Sequence, residues 1–177
     1  MSVRRHALAI VALPGIAALV VPAIIVGAGE GAAIGWDLDG ILAGLPVLAG
    51  VALIVAGLAL WVWTVRLFAR RGKGTLAPWD PPRHLVVEGP YRHVRNPMIT
   101  AVIAVLLGEA LLLGSPALLI WCAAFLAINW AYFVLVEEPG LERRFGEQYR
   151  DYVRGVPRWT PRRTPWSSGG EHGADRR

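Results

Sequence analysis

The sequence is poor in cysteine, in lysine and in charge. Cys122 is its only cysteine, which excludes an internal disulfide; a cysteine-based zinc site would need more thiolates. Lys73 is its only lysine, every other basic side chain being arginine; that bias reads as a GC-rich bacterial genome. Charged residues make up 18% of 177 residues, against 55% hydrophobic and a mean hydropathy of +0.46. Soluble domains run near about 25% charged and roughly 45–50% apolar. The balance argues against a soluble enzyme and a disordered chain, and it points to a membrane. There is no internal repeat and no glycine-rich dinucleotide fingerprint, an absence that excludes only the Rossmann type of nucleotide site.

What charge there is falls in few places. Four stretches, 7–27, 41–68, 98–113 and 117–136, are almost free of it. Crossing a hydrocarbon core about 30 Å thick takes about 20 helical residues. The first and last stretches fit, the second is long enough to tilt, and the third is short and carries Glu109. Gly114-Ser115-Pro116 is a turn signal between the last two. Every Lys and Arg lies at the N-terminal tip (Arg4, Arg5), between Arg66 and Arg95, or from Arg143 onward; the loop 28–40 holds only Glu30, Asp37 and Asp39. Four spans put all three basic segments on one side, and the positive-inside rule makes that side cytoplasmic. The expectation is an all-α integral membrane bundle of about four transmembrane helices, multi-pass in the cell (inner) membrane, with both termini cytoplasmic. Residues 1–27 share a basic tip and apolar run with signal peptides, but the run is long and lacks a clear cleavage site, so it reads as a retained span. The net charge of +5 and pI of about 10.1 then report orientation and contact with anionic lipids. Nucleic acid is not expected as a partner, because no basic face with stacking aromatics is present.

Residues 1–70 read as two N-terminal spans, 71–163 as a core of loop, two spans and a C-terminal helix, and 164–177 as a Ser/Gly/charged disordered tail. Within the core, Trp79-Asp80-Pro81-Pro82 cannot be helix interior. Residues 139–152 read as an amphipathic cytoplasmic helix with a stripe of Leu141, Phe145, Tyr149 and Tyr152, at i, i+4, i+8 and i+11.

Two polar clusters flank the last two spans. One is the run from His84 through Leu85, Val86, Val87, Glu88, Gly89, Pro90 and Tyr91 to Arg95-Asn96-Pro97; the other is Glu137-Glu138. Taken singly, each has an ordinary reading: an interfacial histidine, an interface tyrosine, a proline opening a helix, a solvated helix end. Adjacent carboxylates repel, however, and must be hydrated, paired or bound to a cation. They also sit where a helix C-terminus favours cations.

Together the clusters resemble a known signature. Gly89-x-Tyr91-x-x-x-Arg95-Asn96-Pro97, preceded by His84 and an apolar run, is similar to the Gly-x-Tyr-x-x-x-Arg-His-Pro element of the isoprenylcysteine carboxyl methyltransferases and related phospholipid methyltransferases. Glu137-Glu138, Leu141, Phe145-Gly146, Tyr149, Tyr152 and Val156-Pro157-Arg158 resemble that family's C-terminal element at the same spacing. The resemblance covers 72–161 and implies a membrane methyltransferase using S-adenosylmethionine, held in a cytoplasm-facing pocket capped by the C-terminal helix. Carried over residue by residue, the cofactor positions are His84, Leu85, Val86, Val87, Tyr91, Asn96, Pro97, Met98, Ile99 and Glu137, with Glu138 as a neighbour. No metal and no specific catalytic residue is implied. The acceptor is expected to be a hydrophobic small molecule or a lipid-like substrate.

Three positions depart from the family pattern. Asn96 stands for its histidine, Ile99 for its tyrosine and Ala101 for its glycine. Asn96 keeps hydrogen-bonding capacity but cannot titrate near neutrality. Tyr132 stands where the prenylcysteine enzymes place an arginine for the acceptor carboxylate, which argues against that acceptor. Two other readings compete: a non-catalytic membrane protein retaining the pocket, and an NADPH-dependent membrane reductase of related architecture.

Overall fold

The computed structural model describes residues 14–29, 32–71, 85 and 87–167. His84, Val86 and the Trp79–Pro82 segment lie outside the described residues, as do 1–13 and 168–177. Among the described residues all regular structure is helical.

In chain order a π turn Ile16–Val20 leads into α1 (Val21–Gly27), and a 3-10 turn Ile34–Asp37 precedes α2 (Ile41–Arg71). A second 3-10 turn, Gly89–Arg92, precedes α3 (Pro97–Leu113). Next comes α4 (Pro116–Tyr132), which passes through a π turn Phe133–Glu137 into α5 (Glu138–Phe145); α6 (Glu147–Gly155) follows. Ile41–Leu67 and Pro116–Phe145 are long and apolar enough to cross a membrane. Of the four expected spans, the other two correspond to the shorter apolar helices Ile16–Gly27 and Pro97–Leu113. At 1.5 Å per residue α3 reaches only about 25 Å. Large apolar side chains point outward along both long helices, among them Leu45, Leu48 and Val55 on α2 and Ile120 and Ile128 on α4. A soluble protein would bury such faces.

The bundle is held by small residues and backbone acceptors. Gly50 and Gly57 bring α2 against α3 so closely that a Cβ at Gly57 would stand 2.8 Å from the Ala101 carbonyl and one at Gly50 2.7 Å from that of Gly108. Small residues permit this backbone approach between apolar helices, where dispersion rather than hydrophobic burial drives association. The α3–α4 connection is the expected turn: Gly114 takes φ 57°, Ser115 Oγ accepts from the Leu118 N–H, and Pro116 opens α4. Val102, Leu106 and Cys122 form the core between α3 and α4, with Ala18 packed against it. The Trp36 indole donates to the Leu111 carbonyl at 3.1 Å, fixing the 34–37 turn on the end of α3.

Both π turns end two residues before a proline, Pro22 and Pro139. Proline has no N–H for an i→i−4 bond, so the helix can widen there. In each case the preceding residue reaches back five positions, Val21 to the Ile16 carbonyl and Glu138 to that of Phe133. The first widening frees the Ala17 carbonyl, which the Trp121 indole takes at 3.0 Å.

The expected C-terminal helix over 139–152 is corrected. The apolar helix of α4 continues through Pro139 to Phe145, and the break falls at Gly146, whose φ of 54° and ψ of −127° suit glycine. The stripe survives the break. Leu141, Phe145, Tyr149 and Tyr152 share one cluster with Val156, Leu85, Val87 and Trp166. Trp166 belongs to the expected disordered tail, yet its ring stacks edge-on against Tyr152 at 5.7 Å and its amide donates to the Arg92 carbonyl at 2.9 Å.

Candidate active site

The loop entering α3 is built from residues with restricted backbones. Gly89, at φ 53°, starts the 3-10 turn and Pro90 is buried behind it. The Tyr91 amide donates to the Glu88 carbonyl, and those of His93 and Val94 both donate to the Pro90 carbonyl. Asn96 sits at φ −120°, ψ 60° before Pro97, outside the helical region as a residue preceding proline must be. Its carbonyl accepts from both the amide and the hydroxyl of Thr100. Its side-chain Nδ2 is buried and has no partner among the described residues.

A second strand of contacts comes from the far end of the chain. The Arg95 amide donates to the Pro157 carbonyl and the Arg162 amide to that of His93, while His93 Nδ1 lies 2.8 Å from the Arg162 carbonyl. The Tyr152 hydroxyl donates to the Tyr91 carbonyl at 2.7 Å. These bonds draw the loop before α3 and the segment after α6 together beside the end of α4. Phe133, at that end, is buried against Trp159, with ring centroids 5.8 Å apart.

The two carboxylates at this junction have different surroundings. Glu138 Oε1 accepts from Arg95 at 2.9 Å and from Arg158 Nε at 2.8 Å, and its Oε2 accepts from Arg158 Nη2 at 2.7 Å. The side chains of Arg95 and Glu138 are only 12% and 21% exposed. Glu137 is half-buried, and among the described residues it forms no hydrogen bond or ion pair. It lies close enough to Tyr91 that its charge, after burial and the Tyr152 hydroxyl, helps hold the Tyr91 hydroxyl well above the usual tyrosine range. Burial likewise raises Tyr152. Tyr149 is pushed up to about 12 by burial and by Glu138, with Arg95 acting in the opposite sense.

Of the site residues expected from sequence, the structure brings Tyr91 to Glu137 and, through Arg95, the start of α3 to Glu138. Leu85 and Val87 pack on the tyrosine cluster. Met98 and Ile99 are half-buried in the first turn of α3, beside the buried Pro97. Arg95 and Arg158 stand in the two motifs without a role that the sequence reveals; only a fold that returns position 158 to position 138 shows their pairing. Among the described residues no cluster of metal ligands occurs.

A sequence model described as phospholipid methyltransferase matches residues 45–148. The chain belongs to that family. Comparison with curated proteins and with solved structures returned no match. The phospholipid methyltransferase match runs from α2 to the start of α6, so it contains Tyr91, Arg95, Asn96, Glu137 and Glu138 and stops short of Tyr149, Tyr152, Arg158 and Trp166. Membership brings methyltransferase activity in general terms, and with the two long apolar helices it places the protein at a membrane.

Proposed function

We propose that this protein is an integral membrane methyltransferase that takes its methyl group from S-adenosylmethionine and passes it to a hydrophobic or lipid-like acceptor. In this reading four spans cross the membrane, with the site and both termini on the cytoplasmic side. One observation carries it. Among the described residues a half-buried carboxylate, Glu137, has no cationic partner beside Tyr91, although its neighbour Glu138 has two. An unpaired carboxylate in such a place is costly unless a cation completes it or a proton neutralises it.

The donor set suits the cofactor. Glu137 would pair with the cofactor's ammonium through a charge-assisted hydrogen bond. The buried Nδ2 of Asn96 would donate to one of its oxygens. Tyr91 would offer a ring face, and Leu85, Val87, Pro97, Met98 and Ile99 would complete the apolar lining. When bound, the sulfonium supplies an activated methyl carbon to a nucleophile in line with it. The protein's contribution is to hold that line and to keep water away, which accounts for much of the acceleration in such displacements. An acceptor would reach the site from the bilayer, and the polar cofactor from the aqueous side.

Isothermal titration of the detergent-purified protein with S-adenosylhomocysteine tests the reading. The expected result is saturable binding that Glu137→Gln weakens by at least about ten-fold, the loss of one charge-assisted contact. A folded protein that binds NADPH and ignores S-adenosylhomocysteine would replace this function with a reductase.

A further inference from the structure

The clamp on Glu138 has a chemical consequence. Its Oε1 already accepts from both arginines and its Oε2 takes the second arm of the Arg158 fork. Fork geometry against a carboxylate is the most strongly oriented ion pair available to side chains. All three groups are shielded, at 12% and 21% exposure for Arg95 and Glu138 and 21% for Arg158. A shielded carboxylate that gave up either arginine would strand a buried charge. Glu138 is therefore poorly placed to act as a ligand for anything else.

The three residues come from three separate parts of the chain. Arg95 is in the loop that carries Tyr91 and leads to Asn96, Glu138 follows the π turn that ends at Glu137, and Arg158 lies in the segment after α6. Arg95 is also fixed through its own amide to Pro157, next to Arg158. The clamp thus fastens both sequence clusters to each other at one carboxylate, one residue from Glu137.

We infer that Glu138 is a positioning residue and that Arg158, with Arg95, acts through it to set the place of the Glu137 carboxylate against the Tyr91–Asn96 loop. This rests on the cofactor reading above and narrows it: the adjacent carboxylates divide the work, Glu137 toward the ligand and Glu138 toward the frame. Arg158 lies outside the stretch that the family model matches, whereas Arg95 and Glu138 lie within it.

A double-mutant cycle on the full chain in detergent separates the roles, with S-adenosylhomocysteine affinity by calorimetry and thermal unfolding measured together. Expected are comparable losses of about five- to twenty-fold in affinity for Glu138→Gln and for Arg158→Ala, and a double variant no weaker than either alone, because both break one device. Arg158→Lys, which keeps the charge but not the fork, should recover most of the unfolding temperature and only part of the affinity. A direct cofactor role for Glu138 predicts instead that Arg158→Ala binds like the parent, and independent roles predict that the two losses add; either result overturns the inference. If Arg158→Ala does not fold, Arg158→Lys carries the test, and parental affinity in that variant is the overturning result. A parent protein that binds no S-adenosylhomocysteine fails the functional reading itself, whereas a binding parent with unaffected variants fails only this one.

Discussion

A carboxylate pair at the end of an apolar helix has to be neutralised twice, and here the two neutralisations differ. Glu138 is met by Arg95 and Arg158, whereas Glu137 meets no cation among the described residues. Around them the tyrosines form a layer that is neutral and must stay so. The Tyr149 hydroxyl is held up to about 12 by burial and Glu138, against an ordinary value of about 10 in the unfolded chain. Between those values the native state holds a proton that the unfolded state has lost, so stability is fully present below about pH 10 and is lost as pH rises toward about 12. Chemical unfolding followed between pH 9 and pH 12 should show that decline, and Tyr149→Phe should make it shallower, with Tyr91 and Tyr152 carrying the remainder. A slope identical in the variant would mean that another group is responsible.

At the scale of elements, the α2–α3 contact governs the frame on which the site loop is mounted. A Cβ at Gly57 would sit 2.8 Å from both the Ala101 carbonyl and a Val105 methyl, and backbone atoms on the facing helix cannot rotate away. Gly57→Leu should separate the helices and lower stability by about 3 kcal/mol or more, with Gly44→Leu as the control, since nothing lies within 4 Å of a Cβ there. Thermal melts in one detergent compare the two; equal melting temperatures would show that the close approach does not matter. The small-residue contact was not legible in the sequence, because Gly50 and Gly57 are embedded in a run whose uniform hydropathy hides any face. The aromatic stripe of the C-terminal region was legible, since Leu141, Phe145, Tyr149 and Tyr152 contrast with charged neighbours. That same contrast concealed the break at Gly146: the stripe realigns across it, so the periodicity reads as one continuous helix. The widened turn before Glu138 had a signal in Pro139, visible only once the helix is known to run through it.

At the scale of the whole molecule, the segregation of arginine to the tip, the central segment and the C-terminal region was readable from charge alone, and it yields the four-span orientation proposed here. Single cysteines introduced into a Cys122→Ser background test it. A thiol at Asp39 should react with an impermeant maleimide added to intact cells, and one at Thr164 should react only after the membrane is opened. Labelling of both sites from outside would overturn the orientation. The role of the C-terminal segment was the least legible. Trp166 lies in a stretch whose composition resembles a tail, and its docking depends on partners, Tyr152 and Arg92, that are distant in sequence or given no role by it.

The pairing of Arg95 with Glu138 and Arg158 also bears on the order in which the protein assembles. Two helices, α3 and α4, lie along the chain between Arg95 and Glu138, so the three side chains can meet only after both are seated. Contacts of such sequence separation carry the loop-closure cost that slows folding. Biogenesis should therefore pass through a species with its helices already inserted and its guanidinium groups still hydrated at the headgroup layer. Latching at Glu138 would be the last event, and the first to reverse when the protein is stressed.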